Sequence, residues 1–286
     1  MKSAFLGLAA LSVVSSSCAR SNNGRPEAAS DTQYAESDPS APQVVRLQGF
    51  EYQGDGYVST IYFLFDGKGR VRGCNVLGGE PIFVIDWESQ AFYPYFGSGT
   101  FKTDAQGRIT ALKVKDYEDG TTSSATFTYD AHGRLASWRT AGAHGTAGVK
   151  YKRDAEGRIV AMAENGEAMR SVKGYISYGT PNKHGLHTVG EADFLFRAQS
   201  WGDAIPALFE AGLLGAASNF LITGEGSEEN NYEVNADGLI TNEEIVTKDP
   251  CTYLYADGFS VSDGYVGEAI ATTSRIRCKT ISEEEY

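Results

Sequence analysis

Between Asp66 and Arg158 one short phrase recurs four times: Asp66-Gly-Lys-Gly69-Arg70-Val71, Asp104-Ala-Gln-Gly107-Arg108-Ile109, Asp130-Ala-His-Gly133-Arg134-Leu135 and Asp154-Ala-Glu-Gly157-Arg158-Ile159. Aspartate at the first position accepts hydrogen bonds across a type I turn. Glycine three residues later takes the left-handed conformation of a G1 bulge, where a side chain costs roughly 1–2 kcal/mol. A chain that places this loop between runs of β-branched and aromatic residues is committed to antiparallel hairpins. The spacings between the aspartates, 38, 26 and 24 residues, are too uneven for a solenoid of identical modules. Asn235-Ala-Asp237-Gly238-Leu-Ile240 is a degenerate fifth copy.

From Val44 to about Lys279 the sequence holds roughly fourteen to sixteen strand-like runs of ordinary length. Thr60 to Phe65, Pro81 to Ile85 and Ala125 to Tyr129 are among the clearest. Asp203 to about Leu214 is the one segment that reads as a helix, with Asp203 as cap, Pro206 in the first turn and Gly215 as the stop. Only Glu210 is charged within it, and a helix apolar nearly all round is buried. The expected fold is therefore mainly β, an antiparallel meander of hairpins curved into a barrel or half-barrel around one short helix. A strict period of two after each loop puts Ala111, Ser137 and Ala161 on one face and Leu112, Trp138 and Met162 on the other. The row of small residues is then the face that lets the helix or a ligand approach closely.

Residues 1–17 carry one Lys followed by a short apolar run, the pattern of an export signal, and the run is too short to span a bilayer. Ser15-Ser16-Ser17-Cys18 resembles a lipobox, which implies cleavage before Cys18, palmitate or a related acyl chain on its thiol, and attachment to the membrane through that anchor. Ala19, in place of Asp, implies sorting to the outer membrane. Residues 18–43 are rich in Ser, Asn, Pro and acid and read as a disordered tether. Residues 44–286 read as a single β domain with a short acidic tail. The net charge of −12 repels phosphate backbones, and no basic, aromatic-interleaved run offsets it, so no nucleic acid partner is expected. Beyond Cys18 there are Cys74, Cys251 and Cys278. Cys251 and Cys278 each border an apolar run and are a candidate disulfide if their strands are neighbours, with Cys74 left as a buried thiol.

The phrase Tyr129-Asp130-x-x-Gly133-Arg134-Leu135 resembles the YD repeats of RHS-type bacterial surface proteins. The order of lipobox, tether, hairpin loops, the segment Pro206 to Asn219 and the late Asn235 hairpin resembles a family of bacterial lipoproteins with a porin-like fold. That resemblance implies a barrel-like antiparallel sheet and carries no catalytic residues.

The sharpest motif for a ligand is Glu233 to Glu244, which places Asn235, Asp237 and Glu244 at positions 3, 5 and 12 of a calcium-binding loop. The motif lacks helical flanks, and Asn235-Ala-Asp-Gly also reads as a hairpin turn. His184-Gly-Leu-His187 has no accompanying Glu in metalloprotease spacing and reads as loop histidines. Asp116, Glu118 and Asp119 sit beside Gly120 in a turn, and no Gly-x-Ser-x-Gly elbow is present. Without catalytic residues or a cofactor site, the expectation is a non-enzymatic outer-membrane lipoprotein. It would act as a binding or assembly module for an apolar ligand or a cell-envelope protein. The alternatives are a membrane-spanning porin-like barrel and a glycan-acting surface enzyme.

Overall fold

The computed structural model describes residues 43–246 apart from 48, 55, 56, 143, 144, 198, 200 and 227, and the backbone of 251–254, 261–262, 265–266 and 278–282. Side chains are described for 47, 49–51 and 59–245, less 143, 144, 198, 200, 227 and 228. The signal segment, Cys18, nearly all of the tether and the acidic tail lie outside the described residues.

The meander runs through β2 (Gly49–Gly54), β3 (Tyr57–Phe65), β4 (Val71–Val76), β5 (Pro81–Asp86), β6 (Ala91–Pro94), β7 (Gly97–Thr103), β8 (Ile109–Asp116), β9 (Thr122–Tyr129), β10 (Leu135–Gly142), β11 (Gly145–Arg153) and β12 (Ile159–Glu164). The short β13 (Arg170–Ser171) and β14 (Ile176–Pro181) lead into helices α1 (Val189–Phe196) and α2 (Ala204–Glu210). β15 (Phe220–Glu225), β16 (Glu228–Val234), β17 (Ile240–Val246) and β18 (Cys251–Leu254) follow, and β18 pairs antiparallel with β2 to bring the sheet round on itself. One seam interrupts the ring. Between β13 and β14 the chain doubles back through a tight turn, Tyr175 and Ile176 both donating to the Val172 carbonyl. The Tyr178 hydroxyl accepts from the Ile159 amide at 2.8 Å, which ties β14 to β12 across that seam. β1 (Gln43–Leu47) pairs apart from this sheet with β19 (Cys278–Ser282).

The four repeated loops share one geometry. In each, the Asp amide donates to the Arg carbonyl and the Gly amide to the Asp carbonyl. The carboxylate accepts from the second and fourth amides onward. Gly69, Gly107, Gly133 and Gly157 have φ of 71°, 78°, 80° and 87°. Arg70, Arg108 and Arg158 fold back onto the Asp of their own loop. Arg134 turns inward instead, is 8% exposed, and donates to Asn219 Oδ1 at 2.8 Å. Neighbouring loops also interlock. A Cβ on Gly133 would lie 2.9 Å from Arg108 Nη1, and one on Gly157 would lie 2.8 Å from Arg134 Cζ. Each of these glycines therefore leaves room for the arginine of the preceding hairpin.

Every loop is followed by one unmatched residue. The register skips Arg72, Thr110, Ala136, Val160 and, in the fifth hairpin, Thr241. Such a bulge reverses the parity of the strand. Ile109 and Leu112, Leu135 and Trp138, and Ile159 and Met162 consequently all point inward, three residues apart. Ala111 lies beside Lys102 and Thr126, Ser137 beside Lys150 and Thr128, and Ala161 beside Lys152 and Ser171. The small-residue row thus faces outward, which corrects the expectation that it is the face the helix approaches. The period-two count did not include the bulge.

The inward face closes on two helices where the sequence led us to expect one. Phe194, Leu195 and Phe196 of α1 and Ile205, Leu208 and Phe209 of α2 are each 2% exposed or less, and burying each contributes roughly 1.5–3 kcal/mol. The barrel wall also binds both ends of α1. Trp138 Nε1 donates to the Leu195 carbonyl at 2.8 Å, and the Tyr151 hydroxyl donates to the same oxygen. At the other end the carboxylate of Glu243 on β17 accepts from the Val189 and Gly190 amides at 3.1 and 2.9 Å. Thr188 caps α1 by accepting from the Glu191 amide, so Thr188-Val-Gly-Glu191 carries a capping-box signature. α2 is shorter than expected. Asp203 makes no capping bond, and left-handed Gly212 ends the helix with its amide on Phe209 and the Leu213 amide on Leu208. Gly215 serves elsewhere, since a Cβ there would lie 2.5 Å from the Gly133 carbonyl.

Substitution of Gly107, which has open space around it, is expected to cost only the backbone strain of about 1 kcal/mol. Gly157→Ala must also displace the Arg134 guanidinium and is expected to cost clearly more. Urea unfolding of the two variants measures the difference, and equal losses would show that the loops do not interlock.

Candidate functional site

The barrel has two unlike rims. Loops 66–70, 104–108, 130–134, 154–158 and 235–239 form the turn rim, which the chain after α2 covers. Ile109 N donates to the Leu213 carbonyl, Ala216 N to Gly133, and Asn219 Nδ2 to the Glu156 carbonyl. Beneath this cover Glu191 accepts from the Ser218 amide and, at 2.6 Å, from its hydroxyl, while Arg153 donates to Ser218 Oγ at 3.1 Å. Burial pushes the Glu191 carboxyl up, with Arg153 and Arg134 opposing. This network ties plug to barrel. His187 belongs to the same cover: its Nε2–H donates to the Gly215 carbonyl and its ring stands edge-on to Phe209 at 4.6 Å. Burial holds it neutral, with a pKa lowered to about 4.

At the opposite rim Trp201 and Gly202, from between the helices, come together with Tyr95, Phe96, Asp116, Thr121 and glycines 142 and 145. A cavity of about 180 Å³ opens there, lined by Tyr95, Phe96, Asp116, Thr121, Ser123 and Trp201 with glycines 142, 145 and 202. Three rings form one wall: Tyr95 and Phe96 meet edge to face at 5.1 Å, and Phe96 and Trp201 at 5.9 Å. Trp201 is 4% exposed, whereas Tyr95 is 45% exposed. Gly202, at φ 55°, is what admits Tyr95, because a Cβ there would lie 2.5 Å from the phenol oxygen. Burial, then the neighbouring Asp203, raises the Tyr95 phenol, so it is a neutral hydrogen-bonding group at physiological pH. The lining also carries Thr121, Ser123 and Asp116, whose carboxylate accepts from the Glu118 amide at 2.7 Å. Aromatic rings together with hydroxyls and a carboxylate in one recess suit a small amphipathic group. At this size, below the roughly 300 Å³ of typical ligand pockets, it takes the end of a ligand.

A second, wider trough of about 470 Å³ follows the splayed strands β14 to β16. β15 and β16 pair at only two positions, after which Asn230 Nδ2 and the Tyr232 hydroxyl both donate to the Ile222 carbonyl. Neither cavity is lined by α2. The flank of that helix, where the sequence pointed to an apolar ligand, is filled by protein: Ala204, Ile205, Ala207, Leu208 and Phe209 are 2% exposed or less.

The calcium-loop residues are not drawn together. Asn235 Oδ1 accepts from the Asp237 and Leu239 amides as a hairpin turn does, and the Asp237 carbonyl accepts from Lys183. Glu244 lies along β17 opposite Asn231. Among the described residues no group of three His, Cys, Asp or Glu side chains converges. Cys251 stands opposite Gly54 and Ile245 in the barrel, and Cys278 opposite Leu47 in the separate pair. Their strands are not neighbours, which corrects the adjacency on which the disulfide expectation rested; their side chains lie outside the described residues. Cys74 is a free, fully buried thiol. No sequence motif marks Tyr95, Phe96 and Trp201, because they converge from loops more than 100 residues apart.

The fold matches solved structures. A porin-like protein from Bacteroides uniformis ATCC 8492 superposes with a TM-score of 0.50 at 14% identity, covering 77% of this chain and 93% of that one. A porin-like protein from Bacteroides vulgatus ATCC 8482 matches with a TM-score of 0.41 at 10% identity, covering 73% and 97%. No protein-family model matches the sequence, and no curated protein matches it. The likeness is one of fold: a porin-like, barrel-like β structure.

Asp203 and Glu210, at the start and end of α2, are carboxyls raised by burial, Glu210 further by Asp193, Asp203 and Glu243. A carboxyl with a raised folded pKa supports the fold while protonated. That support is full below the ordinary carboxylate range and is lost as pH rises through the raised value. Glu210→Gln is therefore expected to raise the unfolding temperature at neutral pH and to flatten its decline from acid to neutral pH. Parallel melting curves against pH measure this, and a variant that tracks the wild type would show that Glu210 is not the strained group.

Proposed function

We propose that the protein is a non-enzymatic, lipid-anchored module of the outer membrane that binds the end of an amphipathic ligand in the rim cavity. The aromatic cavity at the uncovered rim carries this reading. It is a preformed recess on a rigid scaffold, with Tyr95 exposed beside Gly202 and Trp201 buried. Aromatic rings and hydroxyls in one recess favour a sugar unit or similar ring over a purely apolar molecule. The lipobox-like Ser15 to Cys18 supports the anchor, and Ala19 the outer-membrane address.

The pore reading has less support, because the polarity of the barrel runs the wrong way. A membrane barrel carries an apolar band outside and polar groups within. Here the interior holds the aromatic plug and the outer face of β7 to β11 carries Lys102, Lys113, Lys115, Arg139, Lys150 and Lys152. A lipid-facing Lys or Arg costs roughly 2–4 kcal/mol at the bilayer midplane. A water-exposed domain with a binding rim fits these positions better.

Saturation-transfer NMR against a panel of mono- and disaccharides and small aromatic amphiphiles is expected to identify binders. Removing one stacking ring, Tyr95→Ala, is expected to weaken them by about tenfold, the equivalent of roughly 1.4 kcal/mol. Ser123→Trp, which fills the recess, should abolish binding. A panel without binders, or both variants binding like the wild type, would sink the proposal.

A further inference from the structure

On a chain of net charge −12, the outward positions of five adjacent strands contain no acid. On β7 they are Ser98, Thr100 and Lys102, and on β8 Ala111, Lys113 and Lys115. On β9 they are Thr122, Ser124, Thr126 and Thr128, and on β10 Ser137, Arg139 and Ala141. On β11 they are Thr146, Gly148, Lys150 and Lys152. Six cations thus stand among hydroxyls and small side chains, without a single aromatic ring. None of the six is ion-paired among the described residues, whereas the turn-rim arginines Arg70, Arg108 and Arg158 are. The parity reversal at the bulges produces this face. On β8 and β10 it sends Leu112 and Trp138, four positions past Arg108 and Arg134, inward and Lys113, Lys115 and Arg139 outward.

The register orders the cations. Lys102, Ala111, Thr126, Arg139 and Gly148 lie in one row across β7 to β11. Lys113 and Lys115 step from that row toward the cavity rim, and Lys150 and Lys152 step from it toward the turn rim. At ~3.3 Å per residue and ~4.8 Å between strands, Lys115, Lys113, Arg139, Lys150 and Lys152 form an oblique stripe ~30 Å long with steps of ~7–12 Å. Ser124, Thr126, Thr128 and Ser137 fill the gaps between them.

We infer that this stripe is a docking track for a linear acidic polysaccharide, a chain bearing carboxylate or sulfate groups. Charge complementarity demands an anion, and cations set in a narrow line on a convex flank match a chain better than a plane of lipid headgroups. Interspersed hydroxyls suit a partner that itself carries hydroxyls. Single-stranded nucleic acid, which is held by base stacking on aromatic side chains, finds no ring here.

Calorimetric titration of the acyl-free chain from residue 18 onward with polygalacturonate tests the track, with uncharged dextran and phosphatidylcholine vesicles containing phosphatidylglycerol as comparisons. Polygalacturonate is expected to bind, and more weakly as salt is raised. The reversal Lys113→Glu, Arg139→Glu, Lys150→Glu should reduce that affinity at least tenfold with an unchanged unfolding temperature. If the reversal lowers that temperature, the milder pair Lys113→Gln, Lys150→Gln is read instead, and a loss of several fold supports the track. Tyr95→Ala should leave polygalacturonate binding intact, which separates the stripe from the rim cavity. Equal binding of dextran, binding of the anionic vesicles alone, no binding, or unchanged affinity in the charge variants would overturn the inference.

Discussion

The filling of the barrel by its own helices is the constraint on which the remaining structure rests. A sheet this large turns an apolar face inward, and that face is stable only if it is covered completely. α1 and α2 supply the cover with residues almost free of solvent contact. A helix inside a barrel has unsatisfied amides and carbonyls at its ends, and the wall answers both ends of α1, with Glu243 on the Val189 and Gly190 amides and Trp138 with Tyr151 on the Leu195 carbonyl. Losing either partner would leave a buried polar group at a cost of about 1–3 kcal/mol. The plug therefore specifies its own orientation as well as filling space.

The repeated loops convert that constraint into surface chemistry. Each loop adds one residue that has no partner across the ladder, and that residue decides which side chains reach the core. The same loops stack through Arg108 on Gly133 and Arg134 on Gly157, which makes the turn rim a continuous structure that the chain after α2 can seal. Sealing one rim leaves the other free, and there Trp201 and Gly202 meet Tyr95 and Phe96 to form the aromatic recess.

Much of the fold was legible in particular residues. Asp and Gly three apart specify the turn, and the near-absence of charge from Ala204 to Leu214 specifies burial. α1 escapes a sequence reading because its eight residues are too few, and too nearly all buried, to show a polar face and an apolar stripe, although Thr188 and Glu191 carry a helix-start signal. The rim site was not legible at all. Tyr95 and Trp201 look like ordinary hydrophobic residues until the fold brings them together in one recess.

The sequence by itself determined the hairpins, the glycine corners, the presence of a buried helix and the balance of charge. These depend on local backbone conformation and on residue spacing, which a chain carries regardless of its fold. Only the tertiary structure decided which face of each strand is inside. That choice turns on a single unmatched residue per hairpin, and a shift of one residue exchanges core for surface along the whole strand. It also decided where rings and cations gather, because residues distant along the chain become neighbours only once the sheet has curved around its plug.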